Sequence, residues 1–110
     1  MGNKFQFFIA GVQFRPKEEI ARAMEHIEVG NELLLEAEPT NKYDSSAVQI
    51  IYNLNTTYIF LGYVPKKYSA LVTDMIKNKS AKCTVTQVNP EAKSHMMIEV
   101  LVEGPTQTEE

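Results

Sequence analysis

The sequence predicts a mostly β domain, a small antiparallel barrel of about six strands with two amphipathic helices. Apolar residues alternate with polar ones over most of the chain, and a period of two residues is typical of strands. Two segments change to the spacing of three and four residues that is typical of amphipathic helices. The chain has 110 residues, of which 44% are hydrophobic, and this is enough for one domain with its own core.

The strands follow from the alternation, element by element. The first is apolar on both faces, which indicates a strand enclosed in a core, and Gly11 lies where a bulge or a close backbone approach is favourable. The second is half-buried, and Asn53–Thr56 between the third and fourth has the Asn-rich composition of a hairpin turn. The six strands are expected at residues 5–12, 33–38, 48–52, 58–64, 81–86 and 96–103.

Both helices are predicted from an apolar stripe and from residues that suit helix ends. The first is expected to begin near Pro16 and to stop at Gly30, and the second to begin near Pro65 and to close with Lys77 and Lys79. Such helices pack on or plug a small barrel. The stripes consist of Ile20, Ala23, Met24 and Ile27 in the first helix and of Tyr68, Leu71, Val72, Met75 and Ile76 in the second.

Composition limits the class of protein. The longest apolar runs are a few residues, so no membrane span is expected. The N-terminus lacks the pattern of a secretory signal, and a single cysteine fits a reducing compartment, so we expect a cytoplasmic protein. Residues 1–103 are predicted to form one domain. Residues 104–110 are polar and acidic and are expected to be a disordered tail.

The charges are arranged in blocks along the chain. Residues 1–38 carry a net charge of −3, residues 39–93 a net charge of +4, and residues 94–110 a net charge of −4. Proteins that coat long nucleic acids usually carry a strong overall positive charge, and this chain does not. A small basic site in the middle third remains compatible with the sequence.

Catalytic and metal-binding patterns are missing from the sequence. Neither His26 nor His95 has a second ligand at the spacing of a zinc site, and both are expected to be solvated. Cys83 shares an apolar strand face and is expected to be a buried, inert thiol. Asp44 and Asp74 are the only aspartates, and the glutamates fall mainly in the negative blocks, whereas a two-metal nuclease centre needs several convergent carboxylates near a basic groove. We therefore expect no enzyme activity and no cofactor.

The start of the second helix carries two lysines, Lys66 and Lys67, where the helix dipole disfavours cations. One interpretation is a solvated pair on the surface. The other is a phosphate subsite, because a helix N-terminus presents free backbone N–H groups to anions. Tyr63, just before the helix, is then placed to supply a stacking ring or a hydroxyl donor.

The turn-rich loop at residues 39–46 also has two interpretations. As structure, Asn41 and Asp44 form Asx turns and Tyr43 covers the barrel mouth. As function, an aromatic ring beside a carboxylate and an amide can stack on a base while the carboxylate accepts a sugar hydroxyl. The residue types alone leave both open.

Several motifs together resemble the HIRAN domain, a module found at the N-terminus of some SWI/SNF-type helicases of replication-fork repair and alone in small prokaryotic proteins. The motifs are GVQFR at 11–15, Gly30 with the strand at 33–35, EPTNKYDSSAV at 38–48 and LGYVP at 61–65. The resemblance covers about residues 5–102. It implies an OB-like barrel that captures the 3′ end of single-stranded DNA without catalysis, with a helicase or nuclease as a further partner.

The resemblance also implies roles for single residues. Tyr43 matches an aromatic residue that stacks on the terminal base, and Asp44 matches the carboxylate that recognises the 3′-hydroxyl. Tyr63 stands at a position that is histidine in a well-known member. Phe14 matches a second aromatic residue, Asn41 the loop amide, and Lys66 a phosphate-contacting lysine. The DNA-binding residues expected in this chain are Phe14, Arg15, Asn41, Tyr43, Asp44, Tyr63, Lys66 and Lys67.

Two positions depart from the family pattern. Gln13 stands where the best-studied member has arginine, although Arg15 follows two residues later, and Lys42 replaces a usual proline. The first predicted helix lies in a stretch that is a short loop in several relatives. Together with the acidic flanks, the missing arginine supports an alternative function, a protein-interaction module that keeps the barrel but has lost DNA-end binding.

Overall fold

The computed structural model describes residues 3–78 and 81–104, which form six strands and two α-helices. Two short 3₁₀ turns accompany them, at Val12–Phe14 and Ser94–Met96. The elements in chain order are β1 Asn3–Phe8, α1 Lys17–Met24, β2 Glu32–Ala37, β3 Val48–Leu54, β4 Thr57–Tyr63, α2 Lys66–Lys77, β5 Lys82–Val88 and β6 Ile98–Gly104.

The strands form one antiparallel sheet in the order β1-β6-β5-β2-β3-β4. The sheet curls until its two outer strands meet at one point, where Ala10 and Tyr63 exchange backbone hydrogen bonds of 2.9 and 2.8 Å. Within residues 3–78 and 81–104 this bridge is the only pairing of the two edges. The predicted class, a mostly β barrel-like fold with two helices, is therefore confirmed, and the barrel is closed by a single bridge rather than by a continuous ladder.

A glycine makes this closure possible. A Cβ atom at Gly62 would overlap with the carbonyl oxygen of Ala10 and lie 2.7 Å from Cγ2 of Ile9. The close backbone approach expected at Gly11 therefore occurs at Gly62. Gly11 has a φ of 76°, a left-handed conformation that glycine adopts without strain, and it begins the first 3₁₀ turn.

The core lies between the curled sheet and the helices and is built from the inward face of each strand. Val48, Ile50 and Tyr52 on β3 are buried, as the alternation predicts. Since each inward position removes a large apolar side chain from water, this face supplies most of the stabilisation. The residues with no measurable exposure are Ala23, Val48, Ile50, Leu61, Val72, Cys83, Ile98, Val100 and Val102.

The ends of two strands differ from their predicted limits. β1 ends at Phe8 instead of continuing to Val12, because the left-handed Gly11 turns the chain into a 3₁₀ turn. β6 begins at Ile98, since Met96 belongs to the second 3₁₀ turn and is 46% exposed. The turn predicted at Asn53–Thr56 is shorter in the structure, because only Asn55 and Thr56 separate β3 from β4. Asn55 has a positive φ of 59°.

The first helix is shorter than the stripe suggested. α1 ends at Met24, yet Ile27 is 5% exposed and packs in the core from the segment that follows the helix. Gly30 does not cap the helix. It has a φ of 97° and donates a backbone hydrogen bond of 2.8 Å to Val85. The apolar spacing continues past the end of α1 because Ile27, in the following loop, packs in the same core as Ile20 and Ala23 of the helix.

The second helix begins after Pro65 and ends at Lys77, as expected, but one stripe position was wrong. Leu71 is 49% exposed, whereas Ser69 is 2% exposed and lies on the buried face. The expected closing residue Lys79 lies outside the described residues, and so does the acidic tail apart from Gly104, which is the last residue of β6. No helix in the described part of the chain is long and apolar enough to cross a bilayer.

Cys83 behaves as its sequence context predicted. Its side chain is 0% exposed on the inward face of β5. Burial raises the pKa of the thiol to about 12, with a smaller contribution from the charge of Glu32. Because the thiolate is the reactive form, this thiol is inert at neutral pH.

Candidate functional site

The loop between β2 and β3 is shaped by two side chains. Oδ1 of Asn41 accepts hydrogen bonds from the backbone N–H groups of Tyr43 at 2.8 Å and Asp44 at 3.0 Å. Oδ1 of Asp44 accepts one from the backbone N–H of Ser46 at 2.9 Å. These are Asx turns, in which a side chain replaces the carbonyl of a backbone turn. The structural interpretation of Asn41 and Asp44 is therefore confirmed, and the loop is held in a defined shape.

The same loop is joined to the second helix through Asp44. The hydroxyl of Ser69 donates to Oδ2 of Asp44 at 2.7 Å, and its oxygen also lies 2.9 Å from the carbonyl oxygen of Lys66. Because a hydroxyl has one hydrogen and a carboxylate is the stronger acceptor, Ser69 donates to Asp44 rather than to the Lys66 carbonyl. Ser69 was not predicted from the sequence as a site residue. Its spacing of three residues before Val72 places it on the buried helix face and could have revealed it.

These contacts determine the charge of Asp44. Its pKa is lowered, first by the hydrogen bond from Ser69, then by that from the backbone of Ser46, and further by the charge of Lys66. The carboxylate is therefore ionised at neutral pH. Each of its oxygens accepts one internal hydrogen bond and keeps a second lone pair, so Asp44 is able to accept from an external donor but not to donate.

Two aromatic rings near this loop and the first 3₁₀ turn face water. Tyr43 is 88% exposed and Phe14 is 81% exposed. A ring that buries so little area contributes little to folding. The ring of Tyr43 therefore has no substantial packing role, whichever of the two interpretations of the loop is correct. Both rings are free to contact a flat ligand.

A second pair of polar groups links the loop to β4. The hydroxyl of Tyr63 donates a short hydrogen bond of 2.6 Å to Oε1 of Glu38. This bond is the main reason that the pKa of Glu38 is lowered and the pKa of Tyr63 is raised. The Tyr63 hydroxyl is thus already used as a donor. Glu38 was not predicted as a site residue, although it begins the motif at 38–48. Its pairing with Tyr63, 25 positions away, has no signal in the sequence.

Arg15 lies on the outer surface of β4. Its Nε donates to the carbonyl oxygen of Phe60 at 3.1 Å, and its guanidinium carbon is 4.1 Å from the centre of the Phe60 ring. The Phe60 ring in turn meets Tyr63 edge to face, with ring centres 5.2 Å apart. Arg15, Phe60, Tyr63 and Glu38 therefore form one connected surface that leads to the loop. Phe60 was not among the predicted site residues.

The two lysines of the second helix lie in different surroundings. Lys66 begins α2, and its backbone carbonyl lies 2.9 Å from the Ser69 hydroxyl that donates to Asp44; its charge also contributes to the lowered pKa of Asp44. The ammonium of Lys67 is instead 5.1 Å from the ring centre of Tyr68, and that ring packs on Phe7 of β1. The first turn of α2, where Lys66 stands, thus lies next to Asp44, whereas the ammonium of Lys67 lies over the ring of Tyr68.

A groove of about 600 Å³ opens next to Arg15, between the first 3₁₀ turn, α1 and the segment before β6. Most of its lining surface is apolar, and the polar groups come from Gln13, Arg15, Lys17, Glu25 and Ser94. This groove could not be predicted from the sequence, because its walls come from three separate parts of the chain. Within residues 3–78 and 81–104, no group of three or more His, Cys, Asp or Glu side chains is arranged to hold a metal ion.

Comparison with known proteins identifies the fold. The HIRAN domain model matches residues 3–104. The crystal structure of the HIRAN domain of human HLTF has a TM-score of 0.62 with 13% identity over 93% of this chain and 74% of that chain. A protein of Lactobacillus plantarum from a structural genomics consortium has a TM-score of 0.69 with 16% identity over 96% of this chain and 100% of that chain. No curated protein sequence matches the chain significantly.

Proposed function

The chain belongs to the HIRAN domain family, and on this premise we propose that it is a non-catalytic DNA-binding module that captures the 3′-hydroxyl end of single-stranded DNA. The observation that carries the proposal is the state of Asp44, a fixed and ionised carboxylate beside an exposed tyrosine and a lysine. The setting that fits such a module is cytoplasmic DNA repair or replication-fork processing, with a helicase or nuclease as partner.

The charge of Asp44 gives the site a way to recognise an end. A free 3′-hydroxyl donates a hydrogen bond to the carboxylate. A strand that continues has a phosphate at that place, and two negative charges repel each other. The carboxylate therefore favours the end through attraction and disfavours internal positions through repulsion. Because Asn41 and Ser69 hold the loop, the carboxylate does not need to be ordered when DNA binds.

The neighbours of Asp44 complement a terminal nucleotide. The exposed ring of Tyr43 offers a face for base stacking, which is tolerant of sequence because every base has a π-face. Lys66 stands at the first position of α2, where its ammonium and the free backbone N–H groups of the helix both attract a phosphate. The base, the 3′-hydroxyl and a phosphate of the strand thus have partners in Tyr43, Asp44 and Lys66.

A comparison of linear and circular single strands tests the proposal. Both have the same length and sequence and differ by about one unit of charge, but the circle has no end. We expect the linear strand with a free 3′-hydroxyl to bind and the circle to bind only at the level of non-specific electrostatic contact. Equal affinities at matched salt concentration would contradict end capture.

One observation favours a second function, a protein-interaction module on the same barrel. Gln13 is exposed at a position where the best-studied family member has an arginine, so one cationic contact to DNA is missing. If this function is correct, neither the linear nor the circular strand binds above the non-specific level.

Tyr43→Ala is expected to weaken binding of a 3′-hydroxyl strand by about 1–3 kcal/mol, because it removes a base-stacking platform. The folding stability should change little, since the ring is 88% exposed. Tyr58→Ala is the matched control, because Tyr58 is a second exposed tyrosine, at 64%, on β4. Titration with a fluorescent strand and thermal unfolding measure the two effects. Equal loss of affinity in both variants would show that Tyr43 has no special role.

Lys66→Gln and Lys67→Gln remove the same charge one residue apart. If Lys66 holds a phosphate, its variant should weaken binding to all sequences and flatten the slope of log affinity against log salt by about 0.7, the value for one single-strand contact. Lys67→Gln should leave the slope close to wild type, because its ammonium lies over Tyr68. Identical slopes for the two variants would contradict a phosphate subsite at Lys66. A change in melting temperature is no substitute for the salt slope, since removing a cation from a helix start also stabilises the helix slightly.

A further inference from the structure

The loop between β2 and β3 has a second attachment to α2 besides the one at Ser69. The hydroxyl of Thr73 donates to the backbone carbonyl oxygen of Ser46 at 2.8 Å, and the contact is partly buried. Since Ser46 and Thr73 are 27 residues apart in the chain, this bond joins two separate elements of the fold. The two side chains that hold the loop, Ser69 and Thr73, lie one turn apart on the same face of α2.

The helix alone does not explain a threonine at this position. Threonine is a weak helix former, and inside a helix its hydroxyl commonly bonds to the carbonyl four residues earlier. Thr73 stands in the interior of α2, is half-buried, and bonds to the loop instead. The residue type is therefore explained by the contact with Ser46.

This contact extends the hydrogen bonds around the Asp44 carboxylate. Oδ2 of Asp44 accepts from Ser69 at 2.7 Å, which attaches it to α2 directly. Oδ1 accepts from the backbone N–H of Ser46 at 2.9 Å, and the carbonyl of Ser46 accepts from Thr73. Each carboxylate oxygen is thus connected to α2. One attachment leaves a loop free to turn about it, whereas two attachments also set the plane of the carboxylate.

The helix that carries both attachments is itself held by the core. Val72 is 0% exposed and Met75 is 5% exposed, so the neighbours of Thr73 along α2 are packed inside the barrel. The ring of Tyr68 stacks on Phe7 of β1, with ring centres 5.3 Å apart. Because α2 cannot follow a movement of the loop, the bond from Thr73 restrains the loop.

We propose that Thr73 is a positioning residue for end recognition, which fixes the Asp44 carboxylate in the orientation that distinguishes a 3′-hydroxyl from a 3′-phosphate. A carboxylate that is free to turn moves away from a phosphate and loses part of the repulsion. It must also be ordered again before it accepts from a hydroxyl, and this ordering costs affinity. Both effects reduce the discrimination. The inference rests on the proposed DNA-end binding and assigns a role within it to a residue that does not touch the strand.

The ratio of affinities for the 3′-hydroxyl and 3′-phosphate forms of one strand tests this role. Thr73→Val keeps the shape of the side chain and removes the hydroxyl, whereas Thr73→Ser keeps the hydroxyl. Thr86→Val is the matched control, because the half-buried Thr86 on β5 donates a similar bond of 2.9 Å to Glu99. We expect the ratio to fall roughly 2- to 12-fold in Thr73→Val, the effect of one neutral hydrogen bond. Thr73→Ser and Thr86→Val should keep the wild-type ratio.

Hydrogen exchange gives a second measurement that needs no DNA. The backbone N–H groups of Tyr43, Asp44 and Ser46 should exchange faster in Thr73→Val than in wild type or Thr86→Val, because the loop opens more often. Thr73→Ala, which also lacks the hydroxyl, replaces Thr73→Val if the latter does not fold.

The possible outcomes separate this inference from the proposed function. If wild type prefers the 3′-hydroxyl and a folded Thr73→Val protein keeps the same ratio, the positioning role is overturned while end capture stands. An equal fall of the ratio in Thr86→Val also overturns it, since the effect is then not specific to the loop. A wild type without any preference contradicts end capture itself, and the exchange rates then decide whether Thr73 holds the loop.

Discussion

Gly62→Ala is expected to lower the free energy of unfolding by about 2–4 kcal/mol, the combined cost of overpacking and of weakened backbone hydrogen bonds. A Cβ at this position meets the carbonyl oxygen of Ala10, which is backbone and cannot rotate away. The two strand edges must then separate, and the two hydrogen bonds between Ala10 and Tyr63 lengthen or break. Denaturant unfolding followed by circular dichroism measures the change.

Gly30→Ala is the control for the effect of adding a methyl group to a glycine. Gly30 has a φ of 97° and nothing within 4 Å of its Cβ position, so only backbone strain is expected, about 1–2 kcal/mol. If Gly62→Ala is no more destabilising than Gly30→Ala, the bridge between the strand edges is not a substantial part of the fold.

A 3′-phosphate is expected to weaken binding of a single strand roughly 10- to 150-fold relative to a 3′-hydroxyl, the range for loss of one hydrogen bond to a charged group. The modification removes the hydroxyl that donates to Asp44 and adds negative charge beside it. A 5′-phosphate on the same strand is the matched control, because it adds the same group at the other end. Similar weakening by both phosphates would contradict recognition at the 3′ end.

Binding of the 3′-hydroxyl strand should depend on the protonation of Asp44 only in acid. The pKa of Asp44 is lowered from its ordinary value of 3.8, so the carboxylate stays charged through the neutral range and becomes protonated only below that value. For the same reason, the folding stability that Asp44 contributes is present above its ordinary pKa and is lost as the pH falls through the lowered one. We therefore expect a constant affinity for the 3′-hydroxyl strand between about pH 5 and pH 8, whereas the affinity for the 3′-phosphate strand should fall as its phosphate gains a second negative charge at a pH of about 6.

The fold could be predicted because its signals are local. Strand alternation and helix stripes are properties of neighbouring residues, and they located all eight elements. The errors occurred where distant parts of the chain share one core. Ile27 continues the stripe of α1 although the helix has ended, and Ser69 replaces Leu71 on the buried face of α2 because it bonds to Asp44.

In the candidate site, too, local motifs could be predicted and contacts between distant residues could not. The loop residues Asn41, Tyr43 and Asp44 lie in one motif and were found through it. Phe60 and Glu38 act through partners that the fold brings to them, Arg15 at a separation of 45 residues and Tyr63 at a separation of 25. Such pairs depend on how the strands curl, and no pattern in one sequence carries that information.

Replacing Asp44 with asparagine is the most direct test of the central claim, which is that this carboxylate selects a free 3′ end. The change is nearly isosteric, and asparagine is able to replace the hydrogen bonds that Asp44 forms within the protein. The new side-chain oxygen accepts from Ser46, the new amide donates to the Ser69 hydroxyl, and that hydroxyl is free to donate to the Lys66 carbonyl at 2.9 Å. Asp74→Asn, at an exposed position on α2, is the control.

The measurement is the ratio of affinities for the 3′-hydroxyl and 3′-phosphate forms of one strand, in wild type and in both variants. We expect wild type and Asp74→Asn to prefer the hydroxyl roughly 10- to 150-fold. In Asp44→Asn the ratio should fall towards one, because a neutral amide does not repel the phosphate. A folded Asp44→Asn protein that keeps the wild-type ratio would contradict the claim.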